Sequence, residues 1–291
     1  MTKLFGITLC KNLNKYDFPL EMNLLQHKDL FDHRIFIVPR EDQDLDQTAK
    51  TIVDICAQNN ISSELFRVDW PTEKGFQEES IDKTLQQKAI QYIEEKYWDD
   101  EDNDVWVIKH DADEFIHEKD FGTIHEYIEN FNNTDITLVG FNYRQFLGSL
   151  EYTVSDPTTC TYHLYKVGYA AKFPGNDAMN VETMGDSVYI EDIYINHIGY
   201  VKNKQQLTTK IQEHFILNES VYSDIDGEKL SQFQFEFPLH KQGASMLWPL
   251  AFAVIYGRKN ETEYIKIPDE ELPKQFILNK NKYKFYMPEM S

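Results

Sequence analysis

The chain has 291 residues, of which 41% are hydrophobic and 14% aromatic, and it carries a formal net charge of −20. A chain of this length and composition buries a substantial core, which excludes a disordered acidic tail. The negative charge argues against a sequence-independent grip on nucleic-acid phosphates, because such binding needs a basic face.

The cysteine content and the N-terminal sequence favour a cytoplasmic protein. Cys10, Cys56 and Cys160 show no Cys-x-x-Cys spacing, so we interpret them as reduced thiols. The opening "MTKLFGITLC" lacks the basic region, apolar stretch and cleavage site of a signal peptide. The longest apolar run, residues 246–256, is too short for a membrane span and contains Pro249. We therefore expect a soluble protein without a transmembrane segment.

The first 110 residues alternate strand and helix patterns. Short apolar runs predict strands at 4–9, 34–38, 64–68 and 105–109. Three helices are predicted between them: one from about Asp17 to Phe31, with Asp17 as its cap and Pro19 in the first turn; one with the stripe Leu45, Ala49, Ile52, Val53 and Cys56; and one with the stripe Ile81, Leu85, Ala89, Tyr92 and Ile93. This order implies an α/β fold with a mostly parallel sheet, whose ligands bind at the carboxyl ends of the strands.

After residue 130 the pattern changes to long aromatic strands. The segments 136–146, 161–167 and 187–195 predict mixed or antiparallel additions to the sheet, and a helix is expected from about Lys204 to Asn218. The tail from Phe233 onward has no clear assignment. We expect a catalytic domain over residues 1–220 and a C-terminal extension over 221–291 that packs on it.

The fourth predicted strand runs directly into an acidic motif, "DADE", residues 111–114. Carboxylates crowded at a buried strand end repel one another and lose hydration, so a positive group should compensate them. Asp111 and Asp113 can converge on one divalent cation, which prefers oxygen ligands and keeps positions open for phosphate oxygens. The spacing of an EF-hand is missing.

Two other functions fit an Asp-x-Asp pair after a strand. A phosphohydrolase of the aspartyl-phosphate type would use Asp111 as its nucleophile. There, however, the pair usually follows the first strand, and here it follows the fourth. A non-catalytic nucleotide- or carbohydrate-binding module would use the pair to hold a structural cation.

The strand, long helix, strand "VWVIK" and motif "DADEFI" resemble a glycosyltransferase of the GT-A fold, near family 2, over roughly residues 3–215. The resemblance implies a Rossmann-like mixed sheet flanked by helices, and Mn²⁺ or Mg²⁺ on the diphosphate of a nucleotide-sugar donor, which we expect to be UDP-linked. By position, Asp111 would contact the nucleotide side and the metal, and Asp113 would ligate the metal. His110 departs from the apolar residue or Asp that such families often have.

The resemblance also implies the rest of the donor site. His197, before Gly199, would complete the metal site or be a core histidine, and Lys202 and Lys204 would neutralise the leaving diphosphate or be surface lysines. Candidate nucleotide contacts follow the first and third strands or lie on the helix before the motif: Thr8, Lys11, Asn12, Asp69 and Lys88.

Transfer needs an acceptor hydroxyl and, in an inverting enzyme, a carboxylate as general base. We expect the base to be Asp177, in a loop with Gly175, with Glu182, Glu191 and Asp192 as alternatives. The Glu-Asp-x-Asp context typical of family 2 is absent, which leaves inversion open as well. The acceptor could be a glycan, a lipid-linked sugar, a protein or a modified nucleobase, and the net charge disfavours nucleic acid.

Overall fold

The computed structural model describes residues 2–70, 78–98, 104–154, 161–168, 185–202, 206 and 264–284. Within these ranges the strands are β1 (Lys3–Leu9), β2 (His33–Pro39), β3 (Ser63–Val68), β4 (Val105–Lys109), β5 (Glu114–Ile116), β6 (Ile136–Leu147), β7 (Tyr152–Val154), β8 (Thr161–Lys166), β9 (Asp186–Tyr200) and β10 (Tyr264–Lys266). Its helices are α1 (Leu20–Gln26), α2 (Thr48–Asn59), α3 (Glu78–Tyr97), α4 (Phe121–Phe131) and α5 (Lys274–Asn279), with 3-10 turns at Glu118–Asp120 and Asp269–Glu271.

One half of the sheet is parallel, in the order β4-β1-β2-β3. The middle residues of β1, β2 and β4 are buried because helices cover both faces, as expected for parallel strands joined by crossovers. The predicted α/β class with a central, mostly parallel sheet flanked by helices is confirmed. The register pairs Ile7 with Lys109, so the residues that follow β1 and β4 meet at one carboxyl edge.

The other half of the sheet contains the predicted mixed additions. β8 pairs antiparallel with β4 and with β6, whereas β9 runs parallel to β6. β9 continues through Tyr200, past the expected end at residue 195, because its pairing with β6 extends to Tyr200 opposite Leu147. It also pairs antiparallel with the short strand β5 at Ile195–His197. That pairing places Glu114 directly opposite His197.

Two of the predicted helices begin later than expected. α1 starts at Leu20 and not at Asp17, which lies in the left-handed region with φ 51° and therefore cannot cap it in the usual extended conformation. α2 starts at Thr48, so the expected stripe residue Leu45 precedes the helix and is 86% exposed. Val53, also placed in that stripe, is 49% exposed.

The carboxylates before α2 explain its start. Asp46 Oδ1 accepts hydrogen bonds from the backbone N–H and the hydroxyl of Thr48, and Asp44 Oδ2 accepts one from the backbone N–H of Ala49. These bonds satisfy free N–H groups of the first turn. Leu45 therefore lies in a capping turn, where helical spacing does not apply.

The third predicted helix is confirmed as α3. Its residues Leu85, Ala89 and Ile93 are fully buried against β1, β2 and β4. Among the helices that the structure describes, none has the length and apolar character that crossing a bilayer requires.

The C-terminal segment Tyr264–Lys284 packs against the strands around the acidic motif. β10 pairs with β7, and the fully buried Phe276 of α5 lies edge-to-face on Phe115 and Phe146, with ring centroids 5.0 and 5.2 Å apart. The expected domain boundary at residue 220 and most of the predicted helix 204–218 lie outside the described residues.

Candidate functional site

The acidic motif forms a closed turn between β4 and β5 at the carboxyl edge of the parallel strands. The Glu114 N–H donates to the Asp111 carbonyl at 3.1 Å, and the Asp111 N–H donates to Glu114 Oε2 at 2.9 Å. Asp113 and Glu114 are buried, whereas the Asp111 side chain is 43% exposed. One carboxylate therefore faces solvent and two face the protein.

Two of the three carboxylates lie beside a basic side chain. Lys109 Nζ is 3.1 Å from Asp111 Oδ1. His197 Nε2 is 3.5 Å from Asp113 Oδ2. Lys109, the last residue of β4, therefore supplies a positive charge to Asp111, and β9 places an imidazole beside Asp113.

Glu114 is stabilised mainly by hydrogen bonds. Besides the Asp111 N–H, the Tyr143 hydroxyl donates to its Oε1 at 3.4 Å, and His163 Nδ1 lies 3.9 Å from its Oε2. Burial, followed by the charges of Glu114, Asp113 and Asp111, raises the pKa of Tyr143 well above its ordinary value. The Tyr143 phenol therefore stays protonated and able to donate.

Gln145 determines which ring nitrogen of His197 carries the proton. Its amide Nε2 donates to the carbonyls of Phe146 at 3.0 Å and of His197 at 3.2 Å, so its Oε1 is the atom that faces His197 Nδ1, 2.5 Å away. An amide oxygen can only accept, so Nδ1 carries the proton. In the neutral imidazole, Nε2 then presents its lone pair toward Asp113 Oδ2.

Gly199 keeps the space between these two side chains open. A Cβ at this position would lie 2.6 Å from His197 Nε2 and 2.7 Å from Asp113 Oδ2. The Ile198 N–H donates to the Asp113 carbonyl at 2.8 Å and ties β9 to the motif.

A carboxylate oxygen and an imidazole nitrogen held this way fit a divalent cation, with Gln145 orienting the imidazole from behind. Asp113 and His197 supply the two donors. No cluster of three or more His, Cys, Asp or Glu side chains suited to a metal occurs within the described ranges.

The structure places the candidate nucleotide contacts in different surroundings. Thr8 is buried, with its hydroxyl 3.2 Å from His110 Nε2. Lys11 Nζ lies 5.3 Å from the centre of the Trp70 ring, and burial lowers its pKa. Asp69 is exposed and its Oδ1 is 2.8 Å from Arg40 Nε.

The remaining candidate contacts to the nucleotide and its diphosphate that the structure describes are Asn12, Lys88 and Lys202. Asn12 has a left-handed φ of 57° in the loop after β1, and Lys88 is exposed on α3. Lys202 is buried, and its ammonium donates to the carbonyl of Tyr16 in that same loop at 3.2 Å. Lys11 thus lies in the loop between β1 and α1, and Lys202 contacts the same loop.

The candidate bases are not brought to the Asp113–His197 pair by the described strands. Glu191 and Asp192 are exposed on β9, and they precede His197 by six and five residues. The register with β6 shifts from Ile190 opposite Phe141 to Tyr194 opposite Asn142, so both residues lie in a bulge of β9. The bulge is three to four β6 positions from Gln145, the residue opposite His197, which corresponds to about 10–13 Å along the strand. Asp177, Glu182 and Lys204 lie outside the described residues.

Several residues of the site were not predicted from the sequence, namely Lys109, Tyr143, Gln145, His163 and Gly199. The alternation of side chains along a strand places Tyr143 and Gln145 on one face of β6, so the sequence could have predicted that they lie together. No pattern in the sequence indicates the role of Gly199, because it depends on how β9 approaches the motif.

Comparison with known proteins gives likeness at the level of the fold. No family model matches the sequence, and a search of curated proteins finds no significant match. The structure of S. aureus TarS 1-349 is 11% identical, with 80% of this chain and 76% of that one covered and a TM-score of 0.41. The structure of TarS 1-349 in complex with UDP is 12% identical, with 79% of this chain and 69% of that chain covered and a TM-score of 0.42.

A third similar structure is the mannosyltransferase PcManGT from Pyrobaculum calidifontis in complex with GDP-Man and Mn²⁺. It is 11% identical, with 73% of this chain and 63% of that chain covered and a TM-score of 0.43. This chain therefore spans less than two thirds of that protein. At these identities the likeness concerns the course of the backbone, and the function has to be inferred from the residues of the site.

Proposed function

We propose that the protein is a metal-dependent glycosyltransferase that moves a sugar from a nucleotide-sugar donor to an acceptor hydroxyl. The observation that carries this proposal is the pair formed by Asp113 Oδ2 and the lone pair of His197 Nε2, 3.5 Å apart at the carboxyl edge of a parallel sheet. Ligands of open α/β sheets bind at that edge.

Asp113 and His197 would hold the cation, with Asp111 at the exposed side of the motif toward the donor. A bound Mn²⁺ or Mg²⁺ would supply Lewis-acid stabilisation of the diphosphate leaving group. A mixed carboxylate and imidazole donor set favours Mn²⁺ somewhat over Mg²⁺.

The nucleotide would lie over the carboxyl ends of β1–β3. Lys11 and Trp70 offer a cation beside an aromatic ring there, and Gln43 holds the backbone of Trp70 through hydrogen bonds of 2.9 and 3.3 Å. Lys11 and Lys202 offer positive charge to the phosphates in a protein that is otherwise strongly acidic. A UDP-linked donor is part of the proposal.

In the transfer step, an acceptor oxygen forms the new bond to the anomeric carbon as the bond to the diphosphate oxygen breaks. An inverting enzyme moves the acceptor proton to a carboxylate. We retain Asp177 as the proposed base, because Glu191 and Asp192 lie in the bulge of β9, about 10–13 Å along the strand from His197. A hexosyl or pentosyl donor group and an acceptor with a free hydroxyl are part of the proposal.

The experiment measures binding of UDP, GDP, CMP and dTDP by calorimetry, with and without Mn²⁺, to the wild type and to Asp113→Asn. We expect Mn²⁺-dependent binding of one nucleotide, lost in Asp113→Asn, whose unfolding free energy should not fall because a self-repelling charge is removed. Glu191→Gln is the control, since it removes an exposed carboxylate away from the pair. Wild-type metal dependence in Asp113→Asn would refute the proposal.

Two further outcomes separate the alternatives. A phosphohydrolase would hydrolyse a generic phosphate ester and form an aspartyl-phosphate at Asp111. A non-catalytic module would bind nucleotide and metal and yet give no release of nucleotide diphosphate from any nucleotide sugar, with or without added acceptors.

A further inference from the structure

A buried arginine lies behind the acidic motif and has no carboxylate partner among the residues that the structure describes. Arg34, on β2, is 1% exposed, and it takes part in none of the ion pairs formed among the described residues. Its guanidinium lies 5.5 Å from the ring of Phe31 and 4.9 Å from the ring of Phe36. Burying a charge without a counter-ion costs several kcal/mol, so the residue is a poor choice for stability alone.

The Arg34 guanidinium donates to two side chains that in turn hold the motif. Its Nη2 donates to Asn23 Oδ1 at 2.9 Å and to His110 Nε2 at 3.1 Å. A guanidinium can only donate, so both of these atoms must be acceptors. Arg34 therefore fixes the amide orientation of Asn23 and places the proton of the neutral His110 on Nδ1.

The donor groups of both side chains then face the backbone of the motif. Asn23 Nδ2 donates to the Glu114 carbonyl at 2.8 Å and to the Asp111 carbonyl at 3.3 Å. His110 Nδ1 is also 3.3 Å from the Asp111 carbonyl. Two donors aligned by one cation thus converge on the carbonyl of Asp111, and one of them also holds Glu114.

We propose that Arg34 is a positioning residue for the metal-binding motif: through Asn23 and His110 it sets the conformation of the turn that carries Asp111, Asp113 and Glu114. This inference rests on the proposed function for its consequence, metal binding, but not for its geometry. A metal ligand has to stay within about 0.2 Å of its required distance, so a turn that loses these bonds should bind the cation more weakly.

Three variants separate positioning from core packing. Arg34→Met removes the charge and the donors while filling much of the volume, and Arg34→Lys restores a cation that can donate to both acceptors. Asn23→Asp keeps an acceptor for Arg34 but has no N–H to give to the carbonyls of Asp111 and Glu114. We measure the dissociation constant of Mn²⁺ alone by electron paramagnetic resonance, urea unfolding, and the tautomer of His110 by ¹⁵N histidine NMR.

We expect Arg34→Met and Asn23→Asp each to weaken Mn²⁺ binding by about tenfold or more, the range found for residues that orient metal ligands. Arg34→Lys should stay within about threefold of the wild type. Asn23→Asp should still unfold cooperatively in urea, at a lower concentration than the wild type, because two buried carbonyls lose their donor. The NMR spectrum should show His110 protonated on Nδ1 in the wild type and no longer fixed in that tautomer in Arg34→Met.

Wild-type Mn²⁺ affinity in both Arg34→Met and Asn23→Asp would overturn the inference. So would a loss confined to Arg34→Met and matched by a loss of stability, because that pattern indicates core packing. If the wild type binds no Mn²⁺ but the Nδ1 tautomer is present and depends on Arg34, the proposed function fails and the positioning of the turn stands.

Discussion

Substitution of Gly199 by alanine tests whether the space between Asp113 and His197 is the functional feature of the site. The added methyl would lie 2.6 Å from His197 Nε2 and 2.7 Å from Asp113 Oδ2, whereas ordinary contact begins at 3.4 Å. Each atom must therefore retreat by about 0.7–0.8 Å, several times the 0.2 Å tolerance of metal–ligand distances. The backbone of Gly199 is not among the positive-φ positions, so the change should act on the side chains and not through backbone strain.

We expect Gly199→Ala to weaken Mn²⁺ binding by about tenfold to a hundredfold, measured by electron paramagnetic resonance. Mn²⁺-dependent nucleotide binding should be lost as well. Gly122→Ala is the matched control. Gly122 lies in α4 and a Cβ there would meet nothing within 4 Å, so that variant should bind as the wild type and be unchanged or more stable. If Gly199→Ala keeps wild-type Mn²⁺ affinity, the cation does not bind between Asp113 and His197.

Three further changes probe the imidazole ligand, a buried histidine and the C-terminal segment. His197→Ala should weaken Mn²⁺ binding about tenfold or more by calorimetry, while nucleotide binding without metal changes less. His27 is buried, which lowers its pKa well below the ordinary 6.5 in the folded state. The unfolded chain therefore binds an extra proton below that pH. His27 should contribute about 1.4 kcal/mol to the fall in the urea unfolding free energy from pH 7.5 to 5.5, and the fall should be smaller by that amount in His27→Gln. Phe276→Ala should cost about 3–5 kcal/mol in urea unfolding, because its ring is fully buried.

Each of these expectations has a contrary result. An unfolded His197→Ala protein whose residual Mn²⁺ affinity is unchanged would make His197 a core histidine. An equal pH dependence of stability in His27→Gln and the wild type would show that His27 does not stay neutral in the fold. A Phe276→Ala protein as stable as the wild type would mean that α5 does not complete the core beneath Phe115.

The parallel half of the sheet could be predicted because its signals are local. Strands buried on both faces appear as continuous apolar runs, and the acidic motif follows directly from β4. Leu45 was wrongly assigned to α2 because its spacing from Ala49 fits a helix. It lies instead in the turn before α2, where Asp44 and Asp46 cap the helix.

The two halves of the candidate site were predicted in different ways: the acidic motif from the residues themselves, and His197 from the family resemblance alone, because it lies on a distant strand. Asp113 is identified by its neighbours in the chain, but His197 reaches it through the pairing of the three-residue strand β5 with β9, 81 positions apart at Phe115 and Asn196. A strand of three residues is too short to show the alternation of apolar and polar side chains by which strands are predicted from sequence. Gln145 and Arg34 act through hydrogen-bond direction, which no spacing in the sequence encodes.

The network around the motif also determines what the cation contributes. Asp111 has Lys109, Glu114 has Tyr143 and a backbone N–H, and the turn itself is held by Asn23. Protein groups thus hold two of the three carboxylates and the backbone of the turn. We therefore expect the chain to stay folded when the cation is removed, in contrast to a zinc finger, which unfolds without its metal. The binding energy of the cation is available for the donor, which is the arrangement expected where a metal serves the chemistry of a leaving group.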